Sequence, residues 1–584
     1  MKLDIGYFKK LNQILSFAGR GRVILVLLGI LIASALELLG VSVIYPFIDL
    51  LLSNHDGVTM TVISPLCEKV GLEPIWMITL LIILLYLVKN IYILLYNRFE
   101  IRTFYKLQHD LATKLMHSYM RQPYTFFLQE NSAFLLKGVQ WDVPQFCSAL
   151  RSLMVICSHS LLALFLIAFL LVTDVKLTCF VIAVIGVCML FFYLFFRKKA
   201  QHYGDIAQGC YKDIYRWSDE ALGGIKEIKI MHREPFFIKG FEAIYKRFSN
   251  ANGKFAFINL FPRLILETVC ITAIVLLITV EIKGGQNAAE YIPTLSVFAM
   301  AFFRMFPRIG EISTSYNNIM YSKASVEDVH EILNRVNHEA EAVKSFDNNE
   351  SVSFERELSI KNLSYTYEAE GRKILDNLNF VVKKGSAIAF TGASGAGKTT
   401  LIHLLLGLLK PTEGAVYSDD TDVHGNSGFR HKIGYVPQMI FIADDTIRNN
   451  VVFGAHPYDE SKDEEVWAAL EEAKIADLVR SFPEGLNTTI GENGVRLSGG
   501  ERQRLGIARA LYHKPEILIM DEATSSLDYD TEKAIIETIA YFKGKKTLII
   551  IAHRFSTIQD CDIIYKVENG GIQEISYREL QQGQ

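Results

Sequence analysis

Residues Phe390 to Thr400 read FTGASGAGKTT, and within this run Gly392, Gly397, Lys398 and Thr399 complete the spacing GxxxxGK[ST]. The apolar stretch Ala387 to Phe390 precedes it and LIHLLLGLL follows it, so the order is strand, glycine loop, helix. A strand edge leading into a helix N-terminus aims several backbone N–H groups and the positive end of a helix dipole at one spot. That spot fits a polyphosphate. Glycines let the backbone of Gly392, Ser394, Gly395, Ala396, Gly397 and Thr400 wrap closely around it, Lys398 reaches the β/γ oxygens, and the Thr399 hydroxyl is placed to ligate Mg²⁺. A purely structural glycine turn is the alternative, and the downstream motifs weigh against it.

The rest of the chain divides sharply. Its 584 residues leave room for several domains, each with its own core. Half the residues are apolar, and they concentrate before about residue 310 in runs near the ~20-residue length that crosses a hydrocarbon layer. Six spans are expected, approximately Val23 to Leu51, Ile75 to Tyr96, Ser148 to Val172, Leu177 to Phe196, Leu264 to Ile282 and Ile292 to Phe306, the last blurred by Pro293 and Pro307. Arg98, Arg102, Lys106, Lys114 and Arg121 follow span two, and Arg197, Lys198, Lys199, Lys212 and Arg216 follow span four. Basic residues collect on the cytoplasmic side, which places both termini there. A net charge of −3 with no basic stripe between aromatics excludes a general nucleic-acid binder. Eight cysteines, four of them (Cys157, Cys179, Cys188, Cys270) inside apolar runs and without metal-ligand spacing, read as buried thiols.

Domain limits follow from the pattern. Residues 1–22 form a helix with Ile5, Phe8, Leu11 and Leu15 on one side and Lys9 and Lys10 on the other, suited to the membrane interface or to packing on the next domain. The transmembrane region covers 23–335. Its two basic connections are helical in pattern, so spans two to five are expected to run well beyond the bilayer and turn back near Pro123 to Glu130 and near Ile230 to Phe236. The acidic stretch Asn337 to Ser351 reads as a linker within 336–356. From 357 to 584 strands alternate with helices, as in an α/β nucleotide-binding domain. There Ile517 to Met520 reads as a strand buried on both faces and ends in Asp521 and Glu522. Asp521 is suited to the Mg²⁺ shell and Glu522 to polarising an attacking water; a helix-capping pair is the competing reading.

Leu497 to Glu501, LSGGE, followed by RQRLGIARAL, resembles the signature of ATP-binding cassette (ABC) transporters. The resemblance extends through the domain: Tyr367 matches the aromatic that stacks on adenine, Gln438 in GYVPQ the Q-loop that also reaches the metal, Asp528 in SSLD the D-loop, and His553 in IAHR the switch histidine. In that family Ser498, Gly499 and Gly500 of one cassette close over ATP held by the Walker A loop of another, and Glu522, His553 and Gln438 serve hydrolysis. Glu501 stands where glutamine is commoner and Ser526 where alanine is commoner, and neither removes a group the chemistry requires. The implied architecture is an all-α six-helix exporter domain of type IV fold fused to a cytoplasmic α/β P-loop cassette. The implied assembly is a homodimer, or a heterodimer with a second half-transporter, in a bacterial cytoplasmic membrane. Fusion in exporter order disfavours an importer, and the short stretch before span one leaves no room for a peptide-processing protease.

Ionisable residues inside the spans carry the clue to substrate. Lys89 and Arg304 fall on the order of 20 Å below the outer surface at ~1.5 Å per residue, with Arg263, Glu267 and Arg308 at similar depth. Four cations against one carboxylate imply a positive cavity for an anionic amphipath such as a diphosphate-linked lipid. Snorkelling of Lys89 and Arg308 to the interface is the alternative. Ser296 to Ser325 and Glu37 to Phe47, ELLGVSVIYPF, resemble the bacterial lipid-linked oligosaccharide flippase, which implies Arg304 as substrate-contacting and Pro307 as a helix bend. Multidrug, lipid or peptide export, and an ATP-gated regulator that moves nothing, are the competing functions.

Overall fold

In a computed structural model of the chain, the residues described are 20–43, 73–173, 175–283, 288–344, 352–367, 371, 373–455, 459–491, 494–521, 536–537, 539–552 and 554–582, with single positions before residue 48. The first unit is helical. Helix α1 spans Arg20–Ser42 and α2 spans Pro74–Met120, opened by Pro74, whose fixed φ and missing N–H suit a first turn. Pro123 then bars continuation, and the short α3 (Tyr124–Gln129) and α4 (Ser132–Lys137) follow, the latter capped by the Asn131 side chain accepting from Ala133 N–H. A π-helical turn, Gly138–Asp142, leads into α5 (Val143–Thr173).

The longest helices are α6 (Val175–Gly223) and α8 (Glu234–Lys283), at 49 and 50 residues. At ~1.5 Å per residue each exceeds twice the thickness of a hydrocarbon core, as the sequence pattern implied. Between them α7 (Ile225–Ile230) ends in a turn with His232 in the left-handed region at φ 52°. Helix α9 (Ala288–Tyr321) runs through both Pro293 and Pro307, and α10 (Lys323–Lys344) continues past Ala340, where the unit ends. The helix thus extends well into the acidic stretch expected to be linker, because HEAEAVK is built from strong helix formers.

Helix α8 packs along α6, α9 along α5 and α6, and α1 against α5. Leu162, Leu166 and Leu170, one helical turn apart on α5, meet Phe192 of α6 and Phe298, Met305 and Ile309 of α9. Among the described residues Gly21–Gly40, Ile75–Met120 and Ser132–Val172 are long and apolar enough to cross a membrane. Cys157 and Cys179 are exposed on α5 and α6, not buried in protein as expected; apolar runs in a membrane helix can face lipid instead. Leu11 and Ile14 of the N-terminal segment are buried, and Gln13 Oε1 lies 2.6 Å from His330 Nε2 of α10, which favours packing on the protein over lying free at the interface.

A buried polar knot fixes the region around the π turn. Lys137 Nζ stands 3.1 Å from Asp142 Oδ2 and donates to Asp328 Oδ2 at 2.6 Å, which Gln208 Nε2 also reaches at 2.7 Å. Asp142 has no exposed surface. The knot joins α4, the π turn, α6 and α10.

The second unit comprises Pro123–Leu128 and Glu341–Gln584. One sheet is antiparallel, order β2-β1-β4-β5, from β1 (Glu357–Thr366), β2 (Lys373–Lys383), β4 (Glu413–Ser418) and β5 (Thr421–Asp422). The other has order β10-β9-β3-β8-β7-β6, from β3 (Ala387–Thr391), β6 (Ile433–Val436), β7 (Ile517–Asp521), β8 (Thr547–Ile551), β9 (Ile563–Glu568) and β10 (Gly571–Ile575). From β9 to β6 the pairing is parallel. Alternate residues feed two cores: Ala387, Ala389, Leu518 and Met520 enter one, Ile388, Phe390, Ile517 and Ile519 the other. Full burial of each leucine, isoleucine, methionine or phenylalanine among them contributes about 1.5–3 kcal/mol, which is why the interior positions of β3, β7 and β8 are apolar on both faces. Tyr124 packs on the second core, its ring centroid 5.2 Å from that of His403 in an edge-to-face arrangement.

Asp419 pins the start of β1. Burial pushes its carboxyl upward, but the N–H groups of Glu355, Glu357 and Arg356, donating at 2.8–3.0 Å, outweigh that and hold it at about 2.

Two stability measurements follow from these contacts. Lys137→Met leaves Asp142 buried without its cation and should cost about 3–5 kcal/mol, read as a lower thermal unfolding midpoint of the full chain in detergent; an unchanged midpoint would refute the pairing. Asp419→Ala should cost about 1 kcal/mol at pH 7 after allowing for solvent screening. Because the folded pKa lies below the ordinary value, that contribution is present above pH ~4 and is lost as pH falls through about 2. Hydrogen exchange of Glu355 to Glu357 should therefore differ between variant and parent at pH 7 and converge near pH 2.

Candidate nucleotide site

The parallel register assembles the site. Phe390 of β3 lies opposite Ile551 of β8, and Ile551 opposite Asp521 of β7, in one row across the sheet. Val436 of β6 pairs with Met520 of β7. Every strand here points the same way, so the glycine loop, Gln438, Asp521 and the segment leading to His553 all leave from the carboxyl edge. At ~4.8 Å between neighbouring strands, β3 and β7 stand about 10 Å apart with β8 between them. That is the crevice where open α/β sheets bind ligands.

The loop has the backbone expected of a phosphate cradle. Gly392, Gly395 and Gly397 take φ of 148°, 79° and 100°. A Cβ at Gly392 would meet Val567 O at 2.4 Å, and one at Gly397 would meet Leu375 Cδ2 at 2.8 Å, so only glycine fits either place. Helix α11 (Lys398–Leu405) starts at once, with Leu401 N–H donating to Gly397 O at 2.9 Å. Lys398 is 5% exposed, and its Nζ donates to the carbonyls of Gly392 and Ala393, both at 2.9 Å. The ammonium is therefore held over the loop's own concavity. Ser394 and Gly395 are exposed, Ala396 is half-buried, and Thr399 points to solvent from the first helical turn. Tyr367, just beyond β1, sits half-buried with its hydroxyl 3.5 Å from Thr400 Oγ1 and its ring edge-on to Tyr365.

Asp521 is buried at the end of β7, where burial and the charge of Asp521 push the Tyr435 phenol above its ordinary pKa. Gln438 is exposed two residues after β6. Glu522, Asp528, Ser526 and His553 lie outside the described residues. A buried carboxylate, an exposed helix-start hydroxyl and an exposed amide at one sheet edge fit a hard, oxygen-ligated cation beside a polyphosphate.

The signature opens α14 (Gly499–Tyr512), which packs on α13 (Asp463–Glu472). Ser498 is its N-cap, and with Glu501 it forms a reciprocal pair: Glu501 Oε2 accepts from Ser498 N–H at 2.7 Å, and Ser498 Oγ accepts from Glu501 N–H at 3.4 Å. Glutamate in place of glutamine thus retains a working cap. Gly499 is exposed and Gly500 buried.

Sequence reasoning missed how this helix is tied to the Q-loop exit. Asn450 of α12 (Ile447–Val452) is fully buried; its Oδ1 accepts from Ala443 N–H at 3.0 Å and from Arg509 Nη2 at 3.2 Å, and its Nδ2 donates to Ala443 O at 3.0 Å. Arg509 Nε donates to Asn450 O at 2.8 Å, Nη1 to Phe441 O at 2.7 Å, and the guanidinium lies 4.3 Å over the Phe453 ring. Burial lowers its pKa to about 10, so it stays charged at neutral pH. Nothing in a linear pattern marks an asparagine followed 59 residues later by an arginine as partners.

Of the five residues expected to meet substrate, three have described side chains, and of these Arg308 lines a cavity between the spans. Lys89 is buried on α2 with its Nζ 4.7 Å from the Tyr86 ring centroid. Glu267 is exposed on α8. The side chains of Arg263 and Arg304, on α8 and α9, lie outside the described ones. Arg308 donates to Glu37 Oε1 at 3.1 Å and stands 3.7 Å from Glu311 Oε2. Among the described residues, Glu37, Glu100 and Glu311 supply carboxylates that the span-by-span count left out. Glu37 and His159, polar residues inside apolar runs, were the available signal.

Comparison with known proteins agrees with this geometry. Residues 23–305 match the model of the ABC transporter transmembrane region, and residues 375–525 that of the ABC transporter. The ATP-dependent lipid A-core flippase of Aromatoleum aromaticum is 28% identical over 583 residues, covering 97% of this chain and 92% of that protein. Those of Ralstonia nicotianae and Burkholderia pseudomallei are 28% and 29% identical over 475 and 478 residues, each covering 81% of this chain and 79% and 78% of the relative. A bacterial Atm1-family ABC exporter solved with ATP bound superposes with a TM-score of 0.77 at 23% identity, covering 97% of both chains. With both family models matched in exporter order and the nucleotide site built as described, this chain belongs to the ABC transporters: an ATPase whose transmembrane region of type IV exporter fold is fused to its cassette.

Proposed function

We propose that two copies of this chain form a homodimer in a bacterial cytoplasmic membrane, both termini cytoplasmic, that moves an amphipathic lipid with a phosphate-bearing headgroup from one leaflet to the other. The flippase names of relatives aligned over most of the chain support the lipid, and the observation that carries the reading is a charged cavity among the spans of an ATPase. A lipid-linked oligosaccharide or a related glycolipid fits that class.

The residues divide the work. Lys398 and the backbone from Gly392 to Thr400 grip the β/γ phosphates of ATP, and Tyr367 stacks on the adenine. Thr399, Gln438 and Asp521 hold Mg²⁺, which neutralises phosphate charge when bound. Glu522 orients the attacking water, with His553 and Gln438 completing the polar shell. Ser498, Gly499, Gly500 and Asp528 of one copy close over the nucleotide gripped by the other, using the exposed start of α14. ATP binds the closed cassette pair better than the open one, and that difference in affinity supplies the work of moving the spans.

Two variants test the chemistry. Lys398→Ala should weaken nucleotide binding enough to lower ATPase by about 100-fold or more; normal hydrolysis would overturn the assignment. Glu522→Gln should keep ATP binding while slowing hydrolysis by about 10²–10⁴-fold, trapping a closed dimer detectable by cross-linking. In proteoliposomes, ATP-dependent movement of a fluorescent diphosphate-linked glycolipid that disappears with Glu522→Gln would establish lipid transport. Vigorous ATPase with no movement of any lipid would refute it.

A further inference from the structure

Between α1, α2, α5 and α9 lies a cavity of about 240 Å³ whose polar wall carries charges of both signs. Near one end Arg308 donates to Glu37 at 3.1 Å, and His159 pairs with Glu311, which also faces Arg308 at 3.7 Å. Elsewhere on the wall Arg151 Nε stands 3.9 Å from Glu100 Oε1, beyond hydrogen-bond length. Glu37 is 8% exposed and His159 7%, so these members of the wall are built into the bundle, while the side chains of Arg308 and Arg151 are 34% and 57% exposed.

The ligand class follows from charge conservation. A plain anion that captured Arg308 would leave Glu37 buried without its cation, and a plain cation that captured Glu37 would weaken the hold on Arg308; stranding one member of a buried pair is strongly unfavourable. A molecule carrying a phosphate and an ammonium a few ångströms apart avoids both penalties. Its phosphate takes the guanidinium of Arg308 or Arg151, its ammonium takes Glu37 or Glu100, and no charge is left alone. The volume matches as well, since room for about eight waters at ~30 Å³ each accommodates a phosphate joined to a short amine.

We propose that this cavity binds the zwitterionic headgroup of a lipid, a phosphate diester bearing a primary amine, by exchange of partners with the Glu37–Arg308 pair. The inference rests on the reading of the chain as a lipid transporter and narrows its substrate to headgroups in which an amine accompanies the phosphate, a condition that a diphosphate-linked glycolipid meets only where it carries an amine as well.

The test uses the full chain in vesicles of uncharged digalactosyl diacylglycerol, with acyl-chain spin-labelled phosphatidylethanolamine or phosphatidylglycerol as probe. Electron spin resonance should show the ethanolamine lipid immobilised with about tenfold or greater preference over the glycerol lipid. Glu37→Gln, nearly isosteric, removes the carboxylate that a plain anion would strand, so the preference should shrink to about threefold or less, chiefly because the glycerol lipid now binds. Arg308→Gln should weaken both, and retention of the parental unfolding midpoint identifies variants that still fold. Soluble phosphorylethanolamine should compete poorly; if it displaces the lipid probe as well as vesicle lipid does, the site reads a free zwitterion and the lipid assignment falls. Equal binding of the two lipids by the parent, or an unchanged preference in Glu37→Gln, overturns the proposal. Lipid movement without headgroup preference would sink this inference alone, whereas preference without movement would sink the transport reading and leave the site standing.

Discussion

The in-line pairing of β3, β8 and β7 is the constraint on which the rest of the cassette depends. A one-residue slip between parallel strands would exchange the two cores, sending Phe390 to the side of Ala389 and moving Asp521 out of the row that ends at the glycine loop. Both faces are buried, so neither core tolerates the exchange. The chemistry at the carboxyl edge is therefore positioned by aliphatic packing beneath it, and Lys398, Gln438 and Asp521 need no contacts among themselves to share a crevice.

The transmembrane unit obeys a different economy. Its apolar exteriors meet lipid, which offers no hydrophobic reward for helix association, so packing and polar contacts hold the bundle together. Leucines spaced by one turn supply the packing. The Lys137, Asp142, Asp328 and Gln208 knot and the Arg308, Glu37, Glu311 and His159 cluster supply the polar contacts. Such clusters fix which helix turn faces which, because a shifted register would leave a charge unpaired in a poorly solvating interior.

The family and fold of the cassette were legible in the sequence because its motifs are written in short contiguous runs: a loop, a strand end, a helix start. GxxxxGK[ST] and LSGGE each place their groups through local backbone geometry alone. The long helices were legible too, since periodicity and basic charge persist along them. What escaped were contacts whose partners lie far apart in the chain, such as Asn450 with Arg509 and Glu37 with Arg308. The carboxylates facing Arg308 and Arg151 escaped for the same reason: a residue's depth can be counted along one helix, but its neighbours come from others. The helix through Lys344 was missed because acidic composition was weighed above helix propensity.

The tie between Asn450 and Arg509 has a mechanical consequence. Because Asn450 spends both its carbonyl and its amide on neighbours, and Arg509 bonds to backbone carbonyls on both sides of the Q-loop exit, the segment from Phe441 to Asn450 cannot slide along α14 without breaking several charge-assisted bonds at once. The two behave as a rigid crank. A displacement of the serine end of α14 therefore either carries the Q-loop exit with it or breaks those bonds.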